Sequence, residues 1–442
     1  IIQGRKLLNL ISNPIQEISG DVICPGDKSI SQRILIIGSL LNCDIKIKGF
    51  LNAQDPLSTM AALNQIGALI IKDGELVEIK NSSRFFKSSD SPIDLGNSGT
   101  GIRLLTGFIS GLNLEATLIG DESLSQRPMS RVVDPLITMG KEIFTNNGKT
   151  PIKILGGSIC DDFEYSMPIA SAQVKSSLIL ASLSSRKTIK IEEKKVTRDH
   201  TERMIEHCGG KIDVKKTSKG KVITLHKQKL SEISSYEVVG DFSSAAFIIV
   251  AALISKKSKV FIKNVGLNET RIGLLKVLLK MNANIDIINE RNICNEICGD
   301  LIVQSSDLVG INVPDHIIPN IIDEIPILCV AACFAKGETS IKNASELKIK
   351  ESDRLKATSE GLNAMNVQHD LLDDGLIIKG SNEEIMPLKE IDSFGDHRIA
   401  MSFLVAGLRT KNGITVKNCN NIETSFPDFC NTMNSLGMKV HE

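Results

Sequence analysis

The stretch Pro25-Gly26-Asp27-Lys28-Ser29-Ile30-Ser31-Gln32-Arg33 has the residue types of an anion site. A glycine turn carries a lysine and two hydroxyls, and an arginine follows just over one helical turn later. It runs into the apolar segment Ile34-Leu35-Ile36-Ile37-Gly38. Backbone N–H groups at a turn-to-helix junction have no helical acceptors, and the helix dipole adds partial positive charge there. Lys28 and Arg33 add full charges, so the stretch outlines a phosphate or carboxylate site. One match alone would be weak, but the layout recurs five more times.

The other copies are Gly96-Asn97-Ser98-Gly99-Thr100-Gly101-Ile102-Arg103, Ser171-Ala172-Gln173-Val174-Lys175, Gly240-Asp241-Phe242-Ser243-Ser244, Asp323-Glu324-Ile325-Pro326 and Gly395-Asp396-His397-Arg398. Each precedes an apolar run, and the starts lie about 70 to 80 residues apart, which marks an internal repeat. The polar residues at these turns and at the helix starts that follow form two sets. The first half offers Lys28, Ser29, Arg33, Asn97, Thr100, Arg103, Arg127, Ser171, Gln173 and Arg198. The second half offers Asp323, Lys350, Glu351, Arg354, His397 and Arg398. If equivalent ends of two domains face each other, these residues line one cleft with many cations and one or two acids. Such a cleft suits a reaction between two anionic small molecules, with arginines holding phosphate and carboxylate bidentately.

Each residue also has a plainer reading. Arg103 and Arg131 fit solvated helix positions or intramolecular ion pairs. Glu351 and Arg354, at i and i+3, fit a surface pair. Asp323-Glu324 fits an N-cap with dipole-favourable acids, and His397 fits a helix cap. The recurrence of charged turns at one place in the repeat favours the functional reading.

The elements that position these residues are also readable. After each apolar helix comes a short alternating strand, such as Ile45-Lys46-Ile47-Lys48 or Ile414-Thr415-Val416-Lys417. An amphipathic helix follows, with Asp55-Pro56 read as an N-cap acid and a proline at the first helical position. Arg127-Pro128, Glu269-Thr270 and Phe426-Pro427-Asp428 stand at equivalent starts, and further strands close the unit. The unit is therefore βαβαββ, in an α/β fold. Its first helix is apolar nearly all round and is expected to be buried. Three units make a domain and six make two. Residues 22–240 are expected to form the first domain, and 1–21 with 241–442 the second. Two thin crossings near 22–26 and 239–242 would act as a hinge.

Composition excludes several classes. The net charge is zero with interspersed signs, so a general nucleic-acid or membrane-surface role is not expected. No apolar run reaches spanning length. The first residues lack the order of a secretory signal, and a chain that opens on Ile1 is compatible with a removed presequence. The ten cysteines are scattered without C-x-x-C and read as reduced, with Cys329 and Cys333 as small core residues. The seven histidines show no zinc spacing, so no metal site is expected. The absence of Trp and the presence of only two Tyr argue against base-stacking platforms.

The residues Pro25 to Ser31, Gly96 to Thr100, Gly120-Asp121-Glu122-Ser123-Leu124-Ser125-Gln126-Arg127-Pro128-Met129, Ser171 to Ser176, Lys350 to Arg354 and Gly395 to Met401 together resemble the EPSP synthase family, in order along nearly the whole chain. The Ser171 to Ser176 stretch and Thr197-Arg198-Asp199-His200-Thr201-Glu202-Arg203 resemble its class II branch. The resemblance implies an inside-out α/β barrel fold of two domains, each of three βαβαββ repeats with buried helices. It implies transfer of the enolpyruvyl group of phosphoenolpyruvate to the 5-hydroxyl of shikimate 3-phosphate, by a cytoplasmic monomer without a cofactor. It assigns shikimate 3-phosphate to Lys28, Ser29, Arg33, Ser171, Ala172, Gln173, Arg198, Asp323 and Lys350. It assigns phosphoenolpyruvate to Lys28, Gly99, Arg127, Gln173, Arg354 and Arg398. Asp323 is the implied base, and Glu351 and Lys28 are both candidates for the proton donor. The herbicide glyphosate occupies the phosphoenolpyruvate place in this family and extends toward the glycine matched by Gly99. Class II relatives that resist it have alanine there.

Three positions depart from the family pattern: Gln32 stands where relatives carry His or Asn, Thr424 where some carry a substrate-binding lysine, and Glu346 where class I has asparagine. Leu104 also replaces a class I proline. Two alternatives remain. UDP-N-acetylglucosamine enolpyruvyl transferases share the fold but carry a reactive cysteine before an Arg-Pro pair, and Gly120 to Pro128 has none. A non-catalytic anion-binding repeat protein would not need Asp323 beside Lys350-Glu351.

Overall fold

The computed structural model describes residues 7–81, 85–218 and 220–442. The first six residues of the expected N-terminal arm lie outside that range. The six apolar segments are helices: α1 Lys28–Gly38, α2 Gly99–Gly111, α3 Ala172–Ser185, α4 Phe242–Ile254, α5 Ile325–Cys333 and α6 His397–Ala406. Every residue of α4 and α5 is buried, as their unbroken apolar sequences require. The recurrent turns explain where these helices begin. Asp27 accepts from the Ile30 N–H, Ser98 from Gly101, Ser171 from Val174, Asp241 from Ser243 and Asp396 from Arg398. Each such cap is worth about 1 kcal/mol. The repeated acid or hydroxyl of the turn is thus a structural cap, which leaves the neighbouring cations for chemistry. The fifth turn is the exception: α5 follows Glu324 without a side-chain cap bond, so Asp323-Glu324 is not the N-cap that its position suggests.

Each repeat contributes one small sheet of a common plan. A central strand pairs in parallel with a short strand on one side and antiparallel with a hairpin on the other. In the second repeat Ala116–Ile119 lies between Ile93–Asp94 and the hairpin Lys141–Asn146 with Lys149–Gly157. The fifth sheet keeps three strands, and isolated bridges from Val309 and Asn312 take the parallel side. Two parallel strands come from elsewhere in the chain. Ser235–Glu237, which precedes α4, pairs with Ile45–Lys48 of the first repeat. Glu17–Ile23, which precedes α1, pairs with Lys257–Gly266 of the fourth. Leu10–Asn13 completes the sixth sheet between Ile414–Lys417 and Lys439–His441.

Contacts divide the chain into two compact units. One comprises residues 26–239 with the return Asn292–Glu296; the other comprises the chain up to Pro25 with 240–291 and 297–442. In the second unit α4, α5 and α6 touch pairwise and carry one continuous apolar core. In the first, α2 packs on both α1 and α3, and Arg33 of α1 bonds Ser176 of α3.

The α2–α3 approach depends on two glycines spaced one helical turn apart. A Cβ at Gly107 would lie 2.0 Å from the Ser177 carbonyl oxygen, and one at Gly111 would lie 2.3 Å from that of Ala181. Backbone cannot yield as a side-chain end can. Gly107→Ala is therefore expected to destabilise the first unit by about 1–3 kcal/mol, the scale of overpacking. A thermal melt of the variant that matches the parent would show that α2 and α3 separate without cost.

The amphipathic helices are Gln54–Gln65, Ser130–Thr138, His200–His207, Gly273–Lys280, Arg354–Ala364 and Phe429–Ser435. Three starts differ from those expected. Asp55 is not an N-cap; the helix begins at Gln54 after Ala53, and Asp55 sits in its first turn. Arg127 does not open a helix but ends the short helix Glu122–Gln126, and the long one starts at Ser130. Glu269-Thr270 lies ahead of its helix, which starts at Gly273. Among the described residues, no single helix is long and apolar enough to cross a membrane. All ten cysteines are free, and Cys329 and Cys333 are buried in α5.

Candidate active-site residues in each unit

In the first unit the caps aim one end of α1, α2 and α3 at the candidate residues. Lys28 opens α1, and its ammonium lies 2.9 Å from Asp55. Asp55 is almost buried, so the pair is partly desolvated and fixes the lysine's direction. Ser29 is half-buried beside it. Gln32 is wholly buried and donates to Ser98 Oγ at 2.6 Å, Thr59 Oγ1 at 3.0 Å and the Asp55 carbonyl at 3.2 Å. It therefore ties α1, the helix Gln54–Gln65 and the α2 cap together rather than facing outward.

Arg33 is also placed inward, with 2% exposure. It donates to Thr201 Oγ1 at 2.8 Å, Ser176 Oγ at 3.0 Å and the Ser29 carbonyl at 3.0 Å. Burial pulls its guanidinium down to about 10, against the nearby Asp27 and Glu202, and Arg198 pulls the same way by like charge. Three of its five N–H donors are used by protein groups.

A second group surrounds Gly99. Arg127 donates to Asn97 Oδ1 at 2.5 Å, and Asn97 in turn donates to Asp121 at 2.7 Å. Arg103 donates to the carbonyls of Gly99 and Pro128 and to Gln173 Oε1, each at 3.1 Å. Gln173 donates to Thr100 Oγ1 at 2.9 Å. Arg103 is thus engaged with the protein, not a solvated helix residue. Ser171, Ala172 and Gln173 are all half-buried at the start of α3. Lys175, one turn on, points into the core and meets Glu202 at 2.7 Å and Glu193 at 3.2 Å. Its charge serves the fold, although it belongs to the same motif.

In the second unit a buried arginine gathers three carboxylates. Arg354, 1% exposed, meets Asp396 through Nε at 2.8 Å, Asp323 through Nη1 at 3.2 Å and Glu351 through Nη2. Burial pulls its guanidinium down, but Asp396, Glu351 and Asp323 outweigh this and hold it above the usual arginine value. The Glu351–Arg354 pair forms as the i, i+3 spacing suggests, but it is not a surface pair. Lys350 lies 3.4 Å from Asp323 on the side away from full burial. Asp396 does two jobs: Oδ1 caps α6 while Oδ2 accepts from Arg354 and from Ser352 Oγ at 3.1 Å.

Arg398 is nearly buried, 3.5 Å from Glu324. Glu324 is fully buried and also accepts from Ser243 Oγ and faces Arg271 at 3.8 Å. Arg271 reaches Asp241 at 3.0 Å and Ser243 Oγ at 2.6 Å. His397 is buried at the start of α6. Thr424 is buried and donates to the Asn421 carbonyl at 2.7 Å, so no long cationic side chain projects from that position.

The sequence reading missed Asp55, Glu324, Arg271 and the second role of Asp396. The signal for Glu324 is present in Asp323-Glu324, but next to Asp323, the implied base, Glu324 reads only as part of a cap. Arg271 lay in a stretch read only as a helix start. Among the described residues, no group of three His, Cys, Asp or Glu side chains is arranged to hold a metal ion.

The family model of EPSP synthase (3-phosphoshikimate 1-carboxyvinyltransferase) matches residues 12–433. The chain is 42% identical over 432 residues to 3-phosphoshikimate 1-carboxyvinyltransferase of Ruthia magnifica subsp. Calyptogena magnifica, covering 98% of each chain. It is 45% identical over 421 residues to the protein of that name from Petrotoga mobilis, covering 94% of this chain and 96% of that one. The solved structure of EPSP synthase from Acinetobacter baumannii superposes with a TM-score of 0.85 at 36% identity, over 99% of this chain and 100% of that chain.

Proposed function

The chain belongs to the EPSP synthase family, and on that premise we propose how its residues divide the chemistry. The reaction transfers the enolpyruvyl group of phosphoenolpyruvate to the 5-hydroxyl of shikimate 3-phosphate and releases phosphate, a step of aromatic amino acid biosynthesis. Asp323 takes the hydroxyl proton while the oxygen attacks C2 of phosphoenolpyruvate. A proton reaches the methylene carbon from Glu351 or Lys28. Both transfers belong to one addition step, which gives a tetrahedral intermediate. Loss of a methyl proton then restores the double bond as the C2–phosphate oxygen bond breaks.

The substrate contacts are assigned residue by residue. Lys28, Ser29, Arg33, Ser171, Ala172, Gln173, Arg198 and Lys350 serve shikimate 3-phosphate. Lys28, Gly99, Arg127, Gln173, Arg354 and Arg398 serve phosphoenolpyruvate. Fixed cations stabilise charge as it develops, without reorganising during the reaction. The observation that carries this reading is the Asp323–Arg354–Glu351 cluster: one buried guanidinium fixes the base at 3.2 Å and holds a candidate acid as well. Arg33 has a mixed role, since three of its bonds are to protein. We place the enzyme in the cytoplasm as a monomer, a state that light scattering on the purified chain checks. The test of function is phosphate release: it should require both phosphoenolpyruvate and shikimate 3-phosphate. Release with UDP-N-acetylglucosamine in place of shikimate 3-phosphate would overturn the assignment.

Gly99 supplies a second test. A Cβ there would lie 2.8 Å from Arg127 Nη1 and 3.0 Å from Arg103 Nη1. The methyl of Gly99→Ala therefore crowds two arginine ends, one of them a proposed phosphoenolpyruvate ligand. KM for phosphoenolpyruvate should rise severalfold. The inhibition constant for the longer glyphosate should rise more, by roughly tenfold or above, because specificity is a difference of two affinities. Equal changes in the two constants would show that Gly99 does not discriminate between them.

A further inference from the structure

We propose that the first unit carries a second anion site, for a small carboxylate or phosphate ester, in a cavity at the C-terminal ends of α2 and α3. Its volume is about 450 Å³, and its lining includes Ser110, Lys141, Ser158, Ser184, Arg186 and Lys187. None of the lining residues is acidic. The catalytic candidates Gly99 and Gln173 stand at the opposite ends of the same two helices.

Three observations carry the assignment. Lys141 is buried, at 3% exposure, yet its ammonium meets only neutral oxygens, Asn113 Oδ1 at 2.8 Å and the Gly157 carbonyl at 2.6 Å. One of its three donors remains, and a buried cation without a counter-charge is costly. Burial pulls its ammonium below the usual lysine value, and the adjacent Glu142, itself exposed, only partly opposes this. Second, Ser110 Oγ is buried and has no hydrogen-bond partner among the described residues. Third, Arg186 is exposed in a left-handed conformation, φ 54°, at the end of α3. Lys187 beside it faces Asp161 at 3.7 Å, which is a weak, screened pairing.

The helix C-termini carry partial negative charge, which opposes an anion. That opposition is reduced because several of the last-turn carbonyls already have donors. Phe108 O accepts from Leu112 N and Ser184 Oγ, Ser110 O from Asn113 N, Leu183 O from Arg186 N and Ser182 O from Lys187 N. Three full cations outweigh what remains.

The test is isothermal titration of inorganic phosphate and, separately, of citrate into the full chain at low ionic strength. Two classes of site are expected, and shikimate 3-phosphate with phosphoenolpyruvate displaces only one. Arg186→Gly removes a cation at a position whose left-handed backbone suits glycine, so it should fold normally. It should weaken the second class about tenfold. Ser110→Val, which fills space in the cavity, should weaken it further, with steady-state activity retained in both. Binding of citrate alone assigns the site to carboxylates, and binding of phosphate alone assigns it to phosphoryl groups. A single class that the substrates displace, or a second class that both variants keep at parental strength, overturns the proposal.

Discussion

Asp323→Asn should lower kcat roughly 10²–10⁴-fold, the usual scale for loss of a general base. The side chain keeps its size, and its remaining oxygen can still accept from Lys350 or Arg354, which lie 3.4 Å and 3.2 Å from Oδ1 in the parent. What is lost is the ability to take a proton. Affinity for shikimate 3-phosphate, measured by titration without phosphoenolpyruvate, should therefore fall much less than kcat. The thermal melt separates this from a structural effect. Asp323 keeps 15% side-chain exposure, and Arg354 retains two other carboxylates, so the melt should move little. A variant that turns over at nearly the parental rate means the base lies elsewhere. A melt lowered in step with activity means that Asp323 acts mainly by holding Arg354.

The repeat was legible in the sequence because it is written twice, in the period of the charged turns and in the apolar runs that follow them. The caps made the starts of the buried helices local properties, and five of six turns cap as such sequences do. The amphipathic helices were harder. Asp55-Pro56 and Arg127-Pro128 have the composition of helix starts, but each polar side chain has a stronger partner elsewhere. Asp55 pairs with Lys28 and Arg127 with Asn97. These partners are distant in sequence, so no local propensity reports them. The exchange of Ser235–Glu237 and Glu17–Ile23 between sheets is likewise a matter of pairing, not of strand propensity.

The same limit separates residue types from residue roles in the candidate site. The motifs named the cations but not which way each one points. Lys175 and Gln173 sit two residues apart in one motif. Lys175 ends in a buried carboxylate pair, whereas Gln173 stays half-buried beside Thr100. Helical geometry turns two such positions about 200° apart, so one motif necessarily serves both the core and the surface. Arg33 shows the intermediate case: an expected ligand whose bonds to Thr201 and Ser176 also join three helices.

Arg354→Met should be the most damaging single change in the second unit. The guanidinium is 1% exposed and is the shared partner of Asp396, Asp323 and Glu351. Methionine fills similar space but leaves three carboxylates facing one another without that cation. Breaking a buried pair by removing one partner costs about 3–5 kcal/mol. Denaturant unfolding of both proteins at neutral pH measures this directly. A variant as stable as the parent would mean that the three carboxylates do not depend on Arg354. Catalysis adds an independent reading. As a proposed phosphoenolpyruvate ligand, Arg354 should contribute the roughly 2–5 kcal/mol of a buried charged contact, so kcat/KM for that substrate should fall by about 30-fold or more. Arg354→Lys restores a cation but not the fork that reaches three acids at once, so it should recover part of the stability and little of the kcat/KM. If the lysine variant recovers both, charge alone suffices and the three-way geometry around Arg354 has no separate role.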